Sequence, residues 1–131
     1  MPATALSKIL YVEDEPDIQA VAQLALEAVG GFTVKICSSG QEALGQVEDF
    51  APDLILLDVM MPGMDGPSTL YALRQLAACS DTPVCFMTAK VQPQEIAHYK
   101  SLGALDVIPK PFDPMALSAL VTAIWDRHHG G

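Results

Sequence analysis

Short apolar runs recur along the chain at 9–12, 33–36, 54–57, 84–87 and 105–108. Runs of this length, apolar nearly throughout, are the pattern of strands covered on both faces of a sheet. Between them lie longer stretches with helical periodicity. Ile18, Val21, Ala22, Ala25 and Val29 mark one face of a first helix, and Leu117, Leu120, Val121 and Ile124 mark one face of the last. The helix starts carry their own chemistry. Ser39 with Glu42 makes a capping box. Pro16, Pro67, Pro93 and Pro114 each fit a first helical turn, where the missing N–H costs nothing, and Asp113 is a suitable N-cap before Pro114. The stretch 93–102 is the weakest helix, with Ile96 and Tyr99 alone on an obvious face.

Alternating strands and helices with short loops predict an α/β fold, a doubly wound five-stranded parallel sheet with five helices and right-handed crossovers. In this class the ligand crevice lies beyond the carboxyl ends of the strands, at the topological switch point. Sequence alone does not fix the strand order. Among common orders, 2-1-3-4-5 brings the ends of strands one and three together and makes Asp14 and Asp58 neighbours.

That juxtaposition matters because both strands end in acids. Asp58 closes the run Leu54, Ile55, Leu56, Leu57, and Glu13, Asp14 and Glu15 follow the first run. A carboxylate where a buried strand runs out is costly to desolvate. Glu13, Asp14, Asp58, Thr88 and Lys110 all stand at strand ends or just beyond them, facing one crevice. Two carboxylates about 5 Å apart repel by roughly 3 kcal/mol at an effective dielectric near 20. Lys110 offsets one charge of the three and leaves the cluster at about −2 at neutral pH. A Mg2+ ion, which prefers hard oxygen ligands, would bring it to zero.

Composition narrows the function. With 131 residues, half of them hydrophobic, the chain can build a real core. A net charge of −9 and only seven scattered Lys and Arg residues argue against nucleic-acid binding and against anionic membrane surfaces. No apolar run approaches the roughly 20 residues of a membrane span. Residues 1–8 lack the pattern of a secretory leader. Cys37, Cys79 and Cys85 show no metal-ligand spacing, and Cys85 reads as core, which predicts a reducing cytoplasmic setting. His98, His128 and His129 show no ligand spacing either; 128–131 reads as a frayed tail. Met60, Met61 and Met64 read as packing, and so does Trp125.

Four pieces, in order, carry a resemblance: Glu13-Asp14-Glu15-Pro16, Asp58-Val59-Met60-Met61-Pro62-Gly63-Met64-Asp65-Gly66, Thr88-Ala89 and Lys110-Pro111-Phe112. Together they resemble the receiver domain of bacterial two-component response regulators, over essentially the whole length. The resemblance implies a flavodoxin-like sheet of order 2-1-3-4-5 and a single receiver domain over 1–131, with its core at about 7–127. It implies that Asp58 is the phosphoacceptor, taking a phosphoryl group from a sensor histidine kinase or a histidine phosphotransferase. Mg2+ would be bound by Asp14, Asp58 and the Met60 backbone carbonyl, with Glu13 acting through water. Lys110 would hold one phosphoryl oxygen and Thr88 another, and a cis peptide is common at the position of Lys110–Pro111. The first helix, near Pro16 and Ile18, would dock the kinase. The face of helix four, strand five and helix five would meet a downstream protein target.

Two positions depart from the family pattern. Val107 stands where many receivers carry an aromatic residue coupled to the threonine, so output is expected to rest on loop movement. Glu13 replaces the commoner aspartate, a longer arm that still serves a water-mediated contact. The chain stops soon after the fifth helix, so the reading is a stand-alone phosphoacceptor module in the cytoplasm, not a turnover enzyme. An aspartyl-phosphate hydrolase of the haloacid dehalogenase type fits poorly, because Met60 stands where its phosphatases place a second aspartate. The remaining alternative is a receiver-like interaction module that works without phosphorylation.

Overall fold

The structure, a computed structural model, describes residues 5–129. The apolar runs form β1 (Lys8–Val12), β2 (Thr33–Cys37), β3 (Leu54–Asp58), β4 (Val84–Thr88) and β5 (Asp106–Pro109). All pair in parallel in the order β2-β1-β3-β4-β5, the expected doubly wound arrangement. The central strands are buried along their whole length, because helices cover both faces of the sheet.

Alternation sorts the strand residues between two cores. Leu10, Val12, Ile55, Leu57, Val84 and Phe86 face the side of α2 (Gly40–Phe50) and α3 (Gly66–Arg74). Ile9, Tyr11, Leu54, Leu56, Cys85, Met87 and Ile108 face α1 (Pro16–Leu24) and α5 (Leu117–His129). The fourth helix, α4 (Pro93–Ser101), buries no residue fully, in keeping with its weak pattern. Tyr99 ties it to the sheet by packing edge-on against Phe86, ring centroids 5.3 Å apart.

Several local expectations are corrected. The first helix does not end as a plain α-helix: Ala25–Val29 continues it as a π turn. That wider turn shifts the phase of the buried face. Ala22, Ala25 and Leu26 are buried, while Val21 and Val29 are 42% and 48% exposed. On α5, Leu120 faces outward, while Trp125 packs as expected, filling the core with Leu117, Val121 and Ile124. The Ser39 hydroxyl caps α2 by accepting the Glu42 amide at 3.0 Å, but Glu42 reaches back to the Ser38 amide at 2.8 Å, not to Ser39. Asp113 Oδ1 accepts the Met115 amide at 2.9 Å and heads the turn that leads into α5. β5 starts at Asp106, one residue later than its apolar run. Helix α5 extends through His129, so 128–129 are helical, and the rest of the expected tail lies outside the described residues. So do residues 1–4 of the segment read for a leader.

Candidate functional site

Because β1 and β3 are neighbours, their acidic ends meet. Carboxylate oxygens of Glu13, Asp14 and Asp58 all lie within 4.8 Å of one another. Glu13 is fully buried and Asp58 nearly so, while Asp14 is half-buried at the rim. Asp58 is the last residue of β3 and Thr88 the last of β4, so a regular ladder, not a loose loop, fixes their positions.

Lys110 comes from the end of β5 and closes the cluster. Its Nζ donates to Glu13 Oε1 at 2.8 Å and to Asp58 Oδ1 at 3.2 Å. The second Glu13 oxygen accepts the Glu15 amide at 3.2 Å. Burial raises the pKa of Glu13, against the opposing pull of the Lys110 hydrogen bond. Asp58 is raised in the same way, with Lys110 and the Met60 amide opposing. For Lys110, burial pulls the pKa down, but the two carboxylates outweigh it and the net shift is upward. The three groups thus hold each other in a partly neutralised state.

Thr88 Oγ1 accepts the Lys90 amide at 3.0 Å, and the Thr88 carbonyl accepts the Lys110 amide at 2.9 Å. The Lys110–Pro111 peptide is cis. Glu13, Asp14, Asp58 and Lys110 thus come into direct contact or close approach, and Thr88 stands at the adjoining strand end, joined to Lys110 through the backbone. Met60 departs from its packing role: its side chain is 73% exposed, whereas Met61 is buried.

Some residues that shape the site were not singled out from sequence. Asp65 caps α3 by accepting the Ser68 amide at 2.8 Å. Gly66 donates its amide to the Val59 carbonyl at 2.9 Å, and a Cβ on it would meet the Asp58 carbonyl oxygen at 2.7 Å and Val59 Cα at 2.8 Å. A glycine is needed there because α3 starts against the backbone of the acid-bearing strand. The Asp65-Gly66 pair in the motif carried that signal, but its mechanical reason needs the fold. Val107 is small and buried, with no ring to swing.

The chain is similar to known proteins in sequence and fold. The family model described as "Response regulator receiver domain" matches residues 9–122. Transcriptional regulatory protein CpxR of Escherichia coli (strain K12) is 40% identical over 95% of this chain and 51% of its own length. Alkaline phosphatase synthesis transcriptional regulatory protein PhoP of Bacillus subtilis (strain 168) is 41% identical over 92% of this chain and 49% of its own. The chain therefore spans about half the length of the curated relatives it matches. Among solved structures, Vibrio cholerae chemotaxis protein CheY4 superposes with a TM-score of 0.83 at 29% identity, covering 92% of this chain and 99% of that one. The names of the longer relatives are those of transcriptional regulators, so the charge argument against nucleic acid speaks for these 131 residues alone. With its sheet order, its acid cluster and these matches taken together, the chain belongs to the receiver domains of response regulators, phosphoacceptor modules of signalling proteins.

Proposed function

We propose that Asp58 is the phosphoacceptor, receiving a phosphoryl group from the phosphohistidine of a sensor histidine kinase or a histidine phosphotransferase. The observation that carries this reading is the convergence of Asp14, Glu13 and Lys110 on one carboxylate at the end of β3. An Asp58 oxygen attacks phosphorus while the phosphorus–nitrogen bond breaks, and the electron pair leaves with the imidazole. The product is an acyl phosphate. Such a transfer asks the protein chiefly for positioning and charge neutralisation.

Lys110, already 3.2 Å from Asp58 Oδ1, is the group to hold one phosphoryl oxygen. The Thr88 oxygen accepts the Lys90 amide, which leaves its proton for a second phosphoryl oxygen. The donor set suits Mg2+: three carboxylates against one ammonium, all hard oxygen. Asp14, Asp58 and the Met60 carbonyl are the proposed direct ligands. Glu13 acts through water, because Lys110 and the Glu15 amide already occupy both of its oxygens. When bound, Mg2+ supplies charge neutralisation on the transferring oxygens.

Phosphorylation changes the charge of the site by about −1 and adds acceptor oxygens. Thr88 and the loop before α4 then draw inward, and that weakly held helix carries the change to a protein partner or precedes onward transfer. The reading treats 1–131 as one receiver domain, core about 7–127, working in the cytoplasm and taking part in its own phosphorylation and dephosphorylation without being a turnover enzyme. Its cysteines are free and buried, and no helix among the described residues is long and apolar enough to cross a membrane.

The test is incubation with acetyl phosphate and Mg2+, followed by intact mass. Wild type gains one phosphoryl and Asp58→Asn gains none. No gain from any small donor or kinase overturns the reading and leaves a phosphorylation-independent interaction module.

A further inference from the structure

Tyr11 is fully buried in β1, and its hydroxyl has no hydrogen-bond partner among the described residues. A phenol taken out of water without a partner is penalised for nothing, and a phenylalanine would fill the same space. Such an orphan in an otherwise satisfied interior needs a reason.

Strand geometry says where the hydroxyl sits. Side chains two apart on a strand share a face, so Tyr11 and Glu13 look the same way, as do Leu56 and Asp58 on β3. Tyr11 is the register partner of Leu56, which puts its ring in the row directly beneath Glu13 and Asp58, on the α1 and α5 side. The charges of both carboxylates bear on the phenol. Two residues of strand rise, roughly 7 Å, are within a tyrosine's reach.

Lys110 is at present shared between Glu13 and Asp58. Once its ammonium turns to a phosphoryl oxygen, Glu13 Oε1 loses its direct donor inside a fully buried side chain, and a buried acceptor left short of a hydrogen bond is costly even where a cation stands beyond a water. We propose that the Tyr11 hydroxyl is the replacement donor, a positioning group that hydrogen-bonds to Glu13 when Lys110 is drawn to the phosphoryl group. Tyr11 is unpaired in the resting arrangement and paired in the loaded one, so it biases the equilibrium toward the loaded state. This rests on the phosphoacceptor reading above.

The experiment compares wild type with Tyr11→Phe, using Mg2+ and beryllofluoride as the phosphoryl mimic, in chains carrying 13Cζ-tyrosine. In the free chain the variant melts at the same or a higher temperature, since only an orphan hydroxyl is lost. Its apparent beryllofluoride affinity falls about tenfold, the scale of a hydrogen bond to a charged group. The Tyr11 Cζ resonance, assigned by its absence in the variant, shifts when wild type is loaded. Equal affinity in the two proteins, or an unmoved Tyr11 resonance, overturns the inference, and so does an equal loss of stability in free and loaded forms. If Tyr11→Phe does not fold, Tyr71→Phe and Tyr99→Phe assign the Tyr11 resonance by elimination, and whether it moves on loading decides. A wild type that binds no beryllofluoride overturns the phosphoacceptor reading and this inference with it, whereas loading that ignores the hydroxyl sinks the inference alone.

Discussion

The Lys110 ammonium donates to Glu13 Oε1 at 2.8 Å, a contact between residues 97 positions apart, and it is shorter than the 3.2 Å contact to Asp58. Lys110 therefore leans toward the carboxylate that is not the proposed acceptor, and its first role is to make a buried acid pair tolerable. Removing it exposes that role. Lys110→Ala should destabilise the chain by about 3 kcal/mol at pH 7, the scale for breaking a buried charge pair from one side. Added Mg2+ should restore much of the loss. Urea unfolding with and without Mg2+ measures both, and an unchanged midpoint in the absence of Mg2+ would count against the pairing.

The same cluster gives stability a definite sign with pH. Burial raises Glu13 and Asp58 above the ordinary carboxylate range, so between that range and the folded values the native state holds protons that the unfolded chain releases. Stability from these two groups is thus present below about pH 4 and is lost as pH rises through their raised folded values. Lys110 is raised instead, and its contribution persists until pH passes through its folded value, above the usual lysine range of about 10.4. Without added cation, Asp58→Asn should gain on wild type as pH rises above about 4 and level off once the folded carboxyl has ionised, read as a growing difference in melting temperature. Mg2+ should shrink that difference. A gap that narrows with rising pH would reverse the argument.

Gly66 carries no functional group, yet a methyl there would press the Asp58 carbonyl oxygen and Val59 Cα, both backbone atoms. Gly66→Ala should cost about 1–3 kcal/mol, as overpacking does. It should also slow phosphoryl uptake about tenfold, because the end of β3 must shift. Rates from acetyl phosphate, read beside thermal melts, check this. Uptake at the wild-type rate would show that the strand end can move freely.

Much of this arrangement was legible before any coordinates. The runs 54–57 and 84–87 had to be buried strands, and the acids at their ends and beyond 9–12 pointed to one crevice. What stayed hidden depends on approach, not composition. The π turn at Ala25–Val29 rotates the buried face of the first helix, and nothing in the spacing of Val21 and Val29 announces it. Leu120 turns outward for a similar reason: apolar periodicity defines a stripe but not which edge meets the sheet, whereas Trp125 packs in the core as expected. The lack of a partner for the Tyr11 hydroxyl is a property of the packed interior, so an apolar run with a tyrosine in it reads as strand and nothing more.

Thr88, at the end of β4 beside the Asp58-bearing strand, holds the start of the loop before α4 by accepting the Lys90 amide at 3.0 Å. Thr88→Ala should leave phosphoryl uptake within about tenfold of wild type, since Lys110 still neutralises charge. It should erase the phosphoryl-dependent change in amide exchange over 89–103. Val107 on β5 has no aromatic ring to swing in its place. Persistence of the exchange response in the variant would show that the loop does not depend on this hydroxyl.

Met60 and Lys90 each stand two residues past a strand-end residue of the site, Asp58 and Thr88, and both are exposed, outside the buried cluster. Loss of the acyl phosphate needs a water in line with the breaking bond, and groups at the rim decide how easily it gets there. Changing them leaves Asp58, Lys110 and Thr88 where they are. Met60→Asn and Lys90→Glu should therefore each change the acyl-phosphate half-life several-fold, about 1 kcal/mol in the barrier, while uptake from acetyl phosphate stays within about twofold. Following loss of labelled phosphoryl after donor removal gives the half-life directly. Unchanged dephosphorylation in both variants would mean that water reaches the phosphoryl group by a path neither side chain borders, and the rim would then play no part in timing the signal.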